Sequence, residues 1–431
     1  MIEIIRTDGK AERLILENIR RRGEAAGKDI AAAVERILAD VRENGDAAVL
    51  EYGERFDGVR PARYELTRDD IERGAADCPK ELYDALSRAA RNIRAYHLRQ
   101  LRESFIDTRP DGSFVGQRVR GLSRVGLYVP GGTAAYPSSV LMNAVPAKLA
   151  GVKELVIATP PMKNGRANPD ILAAAQIAGA DRIFLAGGAQ AVAALAYGTE
   201  KIPRVDKIVG PGNIYVATAK KFVFGLVDID MIAGPSEILV IADKTADPAF
   251  AAADLLSQAE HDVLAGCVLL TDSMELALAV RDEIVRQTGA LARREIIAQS
   301  LKNYGLILVC GSLGEAFALA NEIAPEHLEV MTENPAEAIG RLDNAGSVFL
   351  GPWSPEPLGD YYAGPNHVLP TGGTARFFSP LSVDSFIKKS SFIYYTKEAF
   401  EKAAADIVTI AGAEGLTAHA NSVKIRSGGK D

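Results

Sequence analysis

The chain has 431 residues, 48% of them hydrophobic and 24% charged, and a formal net charge of −7. This length allows two or three domains around a large shared core, and the composition is typical of a soluble globular protein. The mild negative charge gives no electrostatic reason to expect nucleic acid or an anionic membrane as a partner. The N-terminus is too charged for a signal peptide, and no apolar run approaches the roughly 20 residues that span a bilayer, so we expect a cytoplasmic protein.

Helical patterning covers the first 122 residues or so, where apolar and charged positions alternate at helical spacing. From residue 123 short apolar strands alternate with Ala-rich helical stretches, first as SRVGLYV, ELVIA, RIFLA and KIVG, then as EILVIAD, GCVLLT, LILVC and SVFLG. This alternation predicts parallel βαβ units with right-handed crossovers. The expected fold class is therefore α/β, with two tandem Rossmann-like parallel sheets, a helical N-terminal region and a C-terminal helical arm.

The rhythm of strands and helices stops at residue 351. The stretch 351–377 is dense in Gly and Pro and lacks periodicity, which predicts an ordered loop of the kind that often carries function. Helical patterning returns from about residue 383. These changes divide the chain into four parts. The N-terminal helical arm is 1–25, and the C-terminal arm is 383–431. The first α/β domain has two pieces, 26–122 and 237–382, and the second α/β domain, 123–236, lies between them.

One glycine turn has the setting of a dinucleotide-binding turn, because Gly210 and Gly212 follow the strand KIVG and open a predicted helix. The fingerprint is incomplete: Tyr215 replaces the third glycine, and the second strand, ELVIATPP, runs into prolines without an acidic residue. Taken alone, the turn also fits a plain strand-to-helix connection. Two further glycine turns, VPGG (129–132) and AGGAQ (186–190), end neighbouring strands, so together the three favour a ligand crevice at the carboxyl ends of the strands.

Four of the five histidines come after residue 260, each near carboxylates, amides or glycines. Asp247 and Pro248 predict the start of a helix that places Gln258 and His261 on one face, and imidazole is the commonest side-chain ligand of zinc. The alternative is a surface histidine. His97, in the helical segment YHLRQ, is expected to be structural.

Taken one at a time, the other candidate residues do not indicate a functional site. The adjacent pair Glu326-His327 follows Pro325 and fits an acid and a base, although a surface pair fits equally well. Gln258 and His261, with Asp360 and His419, would offer a divalent metal two nitrogens and two oxygens, which leaves His327 and His367 for proton transfer and substrate contact. The segments lie far apart in sequence, so spacing does not establish that they converge.

Long motifs resemble one family. The strings GLYVPGG, AGGAQAVAALAYGT, VDKIVGPGN, IAGPSEILVIAD, SQAEHD, APEHLE and GDYYAGPNHVLPTGGTARFFSPLSV together are similar to histidinol dehydrogenase, and the resemblance runs over essentially the whole chain. It implies oxidation of L-histidinol through L-histidinal to L-histidine with two NAD molecules, in histidine biosynthesis.

The resemblance also implies roles for particular residues. It implies one Zn²⁺ per subunit, bound by Gln258, His261, Asp360 and His419. It makes His327 the proton acceptor and Glu326 the residue that activates water. The substrate would contact Ser236, His367 and Glu414 as well as His327 and the metal ligands, and NAD would contact Tyr128, Gln190 and Asn213 in the second α/β domain. The family is a homodimer whose C-terminal segment reaches the partner's site, so Glu414 and His419 would serve the other subunit.

The cysteines bear on the aldehyde step, because a covalent thiohemiacetal needs an exposed thiolate of low pKa. Cys267 and Cys310 lie in apolar strands and Cys78 in the helical region, so we expect no covalent thioester. The nearest alternative function is a related zinc- and NAD-dependent dehydrogenase of another small alcohol, such as sulfopropanediol. A non-catalytic nucleotide-binding or metal-storage protein is a further alternative, against which the intact pair Glu326-His327 argues.

Overall fold

The computed structural model of the chain describes residues 2–10, 13, 17, 28–131 and 135–428. By their contacts these residues fall into two units, of which the larger comprises Met1–Gln100 with Leu122–Phe386 and the smaller Leu101–Gly121 with Ile387–Asp431. Among the described residues, no helix is both long enough and apolar enough to cross a membrane.

Helices and strands alternate along most of the larger unit, as predicted. The α-helices of the described residues are α1 (Lys28–Asp57), α2 (Arg68–Ala75), α3 (Lys80–Leu98), α4 (Pro137–Leu149), α5 (Pro169–Ala178), α6 (Gly188–Tyr197), α7 (Ile214–Val223), α8 (Pro248–Ala259), α9 (Met274–Thr288), α10 (Arg294–Tyr304), α11 (Leu313–Ile323), α12 (Glu356–Tyr361), α13 (Lys397–Ala413) and α14 (Thr417–Arg426). The strands are β1 (Glu3–Arg6), β2 (Glu65–Leu66), β3 (Phe105–Thr108), β4 (Phe114–Gly121), β5 (Arg124–Tyr128), β6 (Glu154–Thr159), β7 (Arg182–Leu185), β8 (Lys207–Val209), β9 (Asp228–Ile229), β10 (Glu237–Ala242), β11 (Gly266–Thr271), β12 (Gly305–Val309), β13 (His327–Met331), β14 (Ser347–Leu350) and β15 (Ile387–Tyr394).

The first large sheet of the described residues has the strand order β2-β7-β6-β5-β8-β9 and is parallel except for the edge strand β2. We call it the nucleotide sheet. Its strands are buried because helices cover both faces, which is why they appear in the sequence as continuous apolar runs. The chain order reverses at β5, between β6 and β8. In open parallel sheets such a switch point is where ligands bind, outside the carboxyl ends of the strands.

The second large sheet has the order β1-β12-β11-β10-β13-β14 and is parallel throughout its described strands. We call it the catalytic sheet. Counted from β10, its strand order 3-2-1-4-5 repeats that of the nucleotide sheet counted from β5, and each sheet gains one edge strand from the N-terminal part of the chain. Ile238 pairs with His327, so the amino ends of β10 and β13 lie side by side.

The helices before residue 100 pack mainly on the nucleotide sheet. Helices α1, α2 and α3 lie against α4 to α7, and β2 pairs with β7, while α3 also contacts residues 362 and 366 through Asn92 and His97. The apolar faces of these helices complete the two cores of that sheet. Of the helical arm expected over 1–25, most residues lie outside the described part, and Glu3–Arg6 is a strand that extends the catalytic sheet.

The smaller unit contains strands that helical periodicity did not predict. β3, β4 and β15 form an antiparallel sheet in the order β15-β4-β3, although helix was expected up to residue 122 and again from residue 383. The segment QRVRG of β4 alternates half-buried and exposed residues with the period of two that a half-exposed strand requires. The helical part of the C-terminal arm begins later, with α13 and α14.

Candidate active site

A buried acid and base lie together at the amino edge of the catalytic sheet. The backbone N–H of Glu237, the first residue of β10, donates to Glu326 Oε2 at 2.9 Å, and the Glu237 carbonyl oxygen lies 3.1 Å from His327 Nδ1. A carbonyl oxygen only accepts hydrogen bonds, so Nδ1 carries the proton in this contact. His327 Nδ1 and Glu326 Oε2 are 3.7 Å apart. The N–H and carbonyl groups of one residue of β10 thus orient both side chains.

The short helix α12 brings two further carboxylates to the same imidazole. Glu356 and Asp360 are four residues apart, which places them on one face of the helix. Their side-chain oxygens each lie 3.8 Å from His327 Nε2. Glu356 is 2% exposed and Asp360 is half-buried. The predicted loop 351–377 therefore contains a helix, and Glu356 is a site residue that sequence reasoning missed because Gly and Pro obscured its spacing from Asp360.

The crowded carboxylates determine the proton affinities of the site. Burial raises the pKa of Glu326 to about 7, against the opposing effects of His327 and the Glu237 N–H group. Burial and the charge of Asp360 raise the pKa of Glu356 to about 8. Burial lowers the pKa of His327, but Glu326, Asp360 and Glu356 outweigh it and raise that pKa to about 10. Burial would raise the pKa of Asp360, yet the neighbouring imidazole lowers it to about 2.

The end of α8 supplies two of the predicted metal ligands. Gln258 is 1% exposed, and its Oε1 is buried without a hydrogen-bond partner among the described residues. His261 follows the helix and is exposed in the single chain, and desolvation of its ring lowers its pKa against the opposing charge of Asp360. An unpaired buried amide oxygen is unfavourable unless a ligand completes it.

Two further predicted substrate contacts are near the acid–base pair. His367 Nδ1 lies 3.1 Å from the carbonyl oxygen of Asp360, and its Nε2 lies 3.4 Å from Ser139 Oγ. Desolvation lowers the pKa of His367 against the charge of Asp360. Ser236 is half-buried directly before β10. These contacts tie the segment after α12 to α4 of the nucleotide sheet.

Glu414 and His419 belong to the smaller unit. Both are exposed there: Glu414 follows α13 and His419 lies in α14. Among the described residues, the metal-ligating atoms that come within 4.8 Å of one another belong to His327, Glu356 and Asp360. In the single chain, the ligating atoms of this group near Asp360 therefore belong to His327 and Glu356, which are not among the predicted zinc ligands.

A second pair of buried carboxyl groups, Asp254 and Glu329, lies next to the start of α12. Asp254 in α8 contacts Glu329 in β13, and burial raises the pKa of Asp254 to about 6 and that of Glu329 well above its usual value, the latter with the charge of Asp254 contributing. Two buried carboxyl groups in contact share a proton, because both cannot ionise together. Glu329 Oε1 also accepts the backbone N–H of Glu356 at 2.7 Å. This pair fixes the start of α12 relative to α8.

The carboxyl edge of the nucleotide sheet holds the predicted NAD contacts. Tyr128 ends β5, and its hydroxyl oxygen accepts the Gly188 N–H at 3.1 Å. Gln190, in the first turn of α6, is buried, and its Oε1 has no hydrogen-bond partner among the described residues. Asn213 caps α7, accepting the N–H groups of residues 215 and 216. Tyr128 and Asn213 therefore lie at the carboxyl ends of β5 and β8, the strands beside the switch point, and Gln190 follows β7 at the same edge.

A buried ion pair holds the turn between β8 and α7. Lys220 Nζ donates to the Gly210 carbonyl at 3.0 Å, Asp230 Oδ2 accepts the Gly210 N–H at 2.8 Å, and the two side chains contact each other. Gly210 has φ 110°, and a Cβ there would overlap the carbonyl oxygen of Tyr128. Only glycine fits this position, and the ion pair fixes both of its peptide groups.

The cysteines and His97 lie away from the reacting groups. Cys78, Cys267 and Cys310 are buried and form no disulfide within the described part of the chain, and burial raises the pKa of Cys78 to about 11. His97 is fully buried in α3, with Nδ1 2.7 Å from Gln100 Oε1 and Nε2 3.4 Å from the Asn366 side-chain nitrogen. These contacts are packing contacts of the kind expected for a structural histidine.

A dinucleotide-type crevice on one sheet and a buried proton-transfer pair on the other are the parts of a nicotinamide-linked dehydrogenase. The sequence model of the histidinol dehydrogenase family matches residues 20–427. The chain is 53% identical to the histidinol dehydrogenase of Clostridium acetobutylicum over 99% of both proteins. It is 57% identical to that of Heliobacterium mobile, over 92% of this chain and 94% of the relative.

A solved structure agrees with these sequence comparisons. The crystal structure of histidinol dehydrogenase from Elizabethkingia anophelis superposes with a TM-score of 0.92 at 38% identity, covering 99% of this chain and 98% of that one. The chain belongs to the histidinol dehydrogenase family, which confirms the family and the α/β fold class predicted from the sequence motifs.

The burial of the thiols leads to a prediction about the aldehyde step. Replacement of Cys78, Cys267 or Cys310 by alanine should leave turnover nearly intact, because none offers the exposed thiolate that a thiohemiacetal requires. Steady-state kinetics of the three single variants check this. A loss on the order of a thousandfold in kcat for any one variant that still folds would contradict it.

Proposed function

We propose that this protein oxidises L-histidinol through L-histidinal to L-histidine with two NAD molecules, using one Zn²⁺ per subunit, as a cytoplasmic homodimer in histidine biosynthesis. The observation that carries the proposal is the placement of His327, whose Nδ1 is held by the Glu237 carbonyl while its Nε2 has no hydrogen-bond partner among the described residues. An oriented, buried imidazole with one open nitrogen is suited to take a proton from an alcohol.

His327 acts in the alcohol step. Nε2 takes the hydroxyl proton of histidinol while hydride leaves the adjacent carbon. The ring does not need to reorient, because β10 already fixes Nδ1 as the protonated nitrogen. A positive charge bound at Asp360 would offset the carboxylate field that raises the pKa of His327, leaving the imidazole neutral and basic.

Glu326 acts in the aldehyde step. With its pKa near 7, the carboxylate can take a proton from water as the water oxygen attacks the aldehyde carbon. The resulting anion of the hydrate then transfers a hydride to the second NAD, which leaves the carboxyl group of L-histidine. The Glu237 N–H keeps Oε2 in place during this exchange, so the acid and the base stay within one rigid strand pair.

The proposed zinc ligands are Gln258, His261 and Asp360 from one subunit and His419 from its partner. The orphaned buried Oε1 of Gln258 and the low pKa of Asp360 fit a cation at this position, and amide, imidazole and carboxylate are suitable zinc donors. Zinc bound there would supply a positive charge and open coordination positions that anchor the imidazole and amine of histidinol. Ser236, His367 and Glu414 of the partner would complete the contacts to the substrate.

NAD, the hydride acceptor, is proposed to lie at the switch point of the nucleotide sheet, in contact with Tyr128, Gln190 and Asn213. The orphaned Gln190 Oε1 and the turn fixed by Lys220 and Asp230 support this position, since both follow the carboxyl ends of strands of that sheet, where ligands of such sheets bind.

The homodimer is proposed because Glu414 and His419 are exposed in the smaller unit of the single chain. The same unit exposes large apolar side chains, including Ile393, Ile410 and Ile425, which a partner subunit would cover. The active site would then be shared between two chains related by a two-fold axis.

The activity and its metal dependence can be tested together. Adding L-histidinol and NAD to the zinc-loaded protein should produce NADH, a strong chelator should abolish this activity, and zinc should restore it, because the metal holds the substrate. Absorbance at the NADH band measures all three states. Zinc-loaded protein that oxidises no histidinol, or that oxidises sulfopropanediol faster, would contradict the proposal.

Because Glu326 and His327 act in different steps, replacing Glu326 should change the amount of NADH formed per histidinol. Glu326→Gln should leave hydride transfer from the alcohol but slow hydration of the aldehyde, so NADH formed per histidinol falls from about two to about one and histidinal accumulates. In wild-type protein supplied with histidinal, turnover should fall as the pH drops through the pKa of Glu326, since only ionised Glu326 accepts the proton and burial raises that pKa from its usual value. A variant that still yields two NADH at the wild-type rate would exclude this role.

A shared site predicts complementation between inactive chains. Glu326→Gln dimers and His419→Asn dimers should each form almost no L-histidine, but mixed and re-associated chains should recover about a quarter of wild-type L-histidine formation, because half the dimers are mixed and each contains one intact site. If His419 served its own chain, every site would carry one defect and mixing would restore nothing. Size-exclusion chromatography of the mixture confirms that dimers have reformed.

A further inference from the structure

The nucleotide sheet lacks one part of a dinucleotide site in its sequence. In sheets of this type an acidic residue near the end of the second strand accepts hydrogen bonds from the adenosine ribose. Here the second strand, β6, ends at Thr159 and continues into Pro160 and Pro161, so no carboxylate follows it. Because NAD carries that ribose, the carboxylate has to come from elsewhere or be absent.

A carboxylate from outside the sheet lies at this place. Asp57 is the last residue of α1, and its Oδ2 lies 3.3 Å from the position that a Cβ on Gly187 would occupy. The same position is 2.8 Å from Pro160 Cβ. Asp57 therefore lies between the residue that follows β6 and the turn that follows β7, beside the proposed NAD contacts in that turn. Tyr128 is close enough that the charge of Asp57 adds to the effect of burial in raising its pKa.

The surroundings of Asp57 do not explain it as a structural residue. The side chain is half-buried, and Oδ2 is buried without a hydrogen-bond partner among the described residues. Burial raises the pKa of Asp57, and within the described part of the chain no cation acts to lower it. A carboxylate at the C-terminal end of a helix also meets the negative end of the helix dipole. A buried acceptor in such a position requires a donor that the chain does not supply.

We propose that Asp57 supplies the carboxylate that accepts hydrogen bonds from the adenosine ribose hydroxyls of NAD and so selects NAD over NADP. The inference rests on the proposed position of NAD at the nucleotide sheet. Helix α1 replaces the missing strand-end residue, and a 2′-phosphate would place two negative charges beside a desolvated carboxylate that has no neutralising partner.

The test measures nucleotide binding directly. Isothermal titration of the zinc-loaded dimer with NAD and with NADP is compared for wild type, Asp57→Asn and the control Glu51→Gln, which removes an exposed carboxylate from the same helix. In Asp57→Asn the Kd for NAD should rise about tenfold or more while the Kd for NADP stays constant or falls, because one charge-assisted acceptor is lost. The melting temperature should not fall, since the carboxylate has no partner to lose. Glu51→Gln should match wild type.

Two further measurements keep the test decisive if Asp57→Asn does not fold or if NAD binds elsewhere than proposed. With wild-type protein, ADP-ribose should bind at least about tenfold more tightly than 2′-phospho-ADP-ribose, and equal affinities would overturn the proposal. An NAD affinity within about twofold of wild type in folded Asp57→Asn would also overturn it. Asn213→Ala tells the two failures apart: if that variant loses NAD affinity and Asp57→Asn does not, the proposed NAD position stands and the role of Asp57 fails.

Discussion

The hydrogen bond from His327 Nδ1 to the Glu237 carbonyl determines the orientation of the imidazole and which of its nitrogens is protonated. It links the amino ends of two parallel strands, and the same residue of β10 holds Glu326 through its N–H group. Parallel sheets usually present their chemistry at the carboxyl edge, on loops. Here His327 belongs to the sheet itself and Glu326 directly precedes the same strand, so strand register limits their positions more closely than a loop would.

The several carboxyl groups of the active site favour the binding of a cation. Glu326, Glu356 and Asp360 surround one imidazole, with the carboxyl pair of Asp254 and Glu329 behind them. So many buried carboxyl groups resist ionisation together, which is why several of their pKa values lie far above the usual range. A bound divalent cation would relieve that imbalance and restore the proton affinities that acid–base chemistry at neutral pH requires.

The sequence predicted most of the sheet strands because buried parallel strands are continuous apolar runs. It missed β13, where Glu329 interrupts such a run, and it missed β4 and β15, whose exposed faces carry charge. The candidate residues were identified, but their roles came from the family resemblance, since no spacing brings 258, 326 and 360 together. Asp57 had no sequence signal at all, because a helix supplies from a distance what the fingerprint expects at a strand end.

The two large sheets share more than a fold class, since both run 3-2-1-4-5 and both gain an edge strand on the same side. The two sheets nevertheless differ in the edge that carries their polar groups. In the nucleotide sheet the buried Gln190 and the capping Asn213 lie beyond the carboxyl ends of the strands, whereas in the catalytic sheet Glu326 and His327 lie at the amino ends. The strand order alone therefore does not determine at which edge of such a sheet polar groups gather.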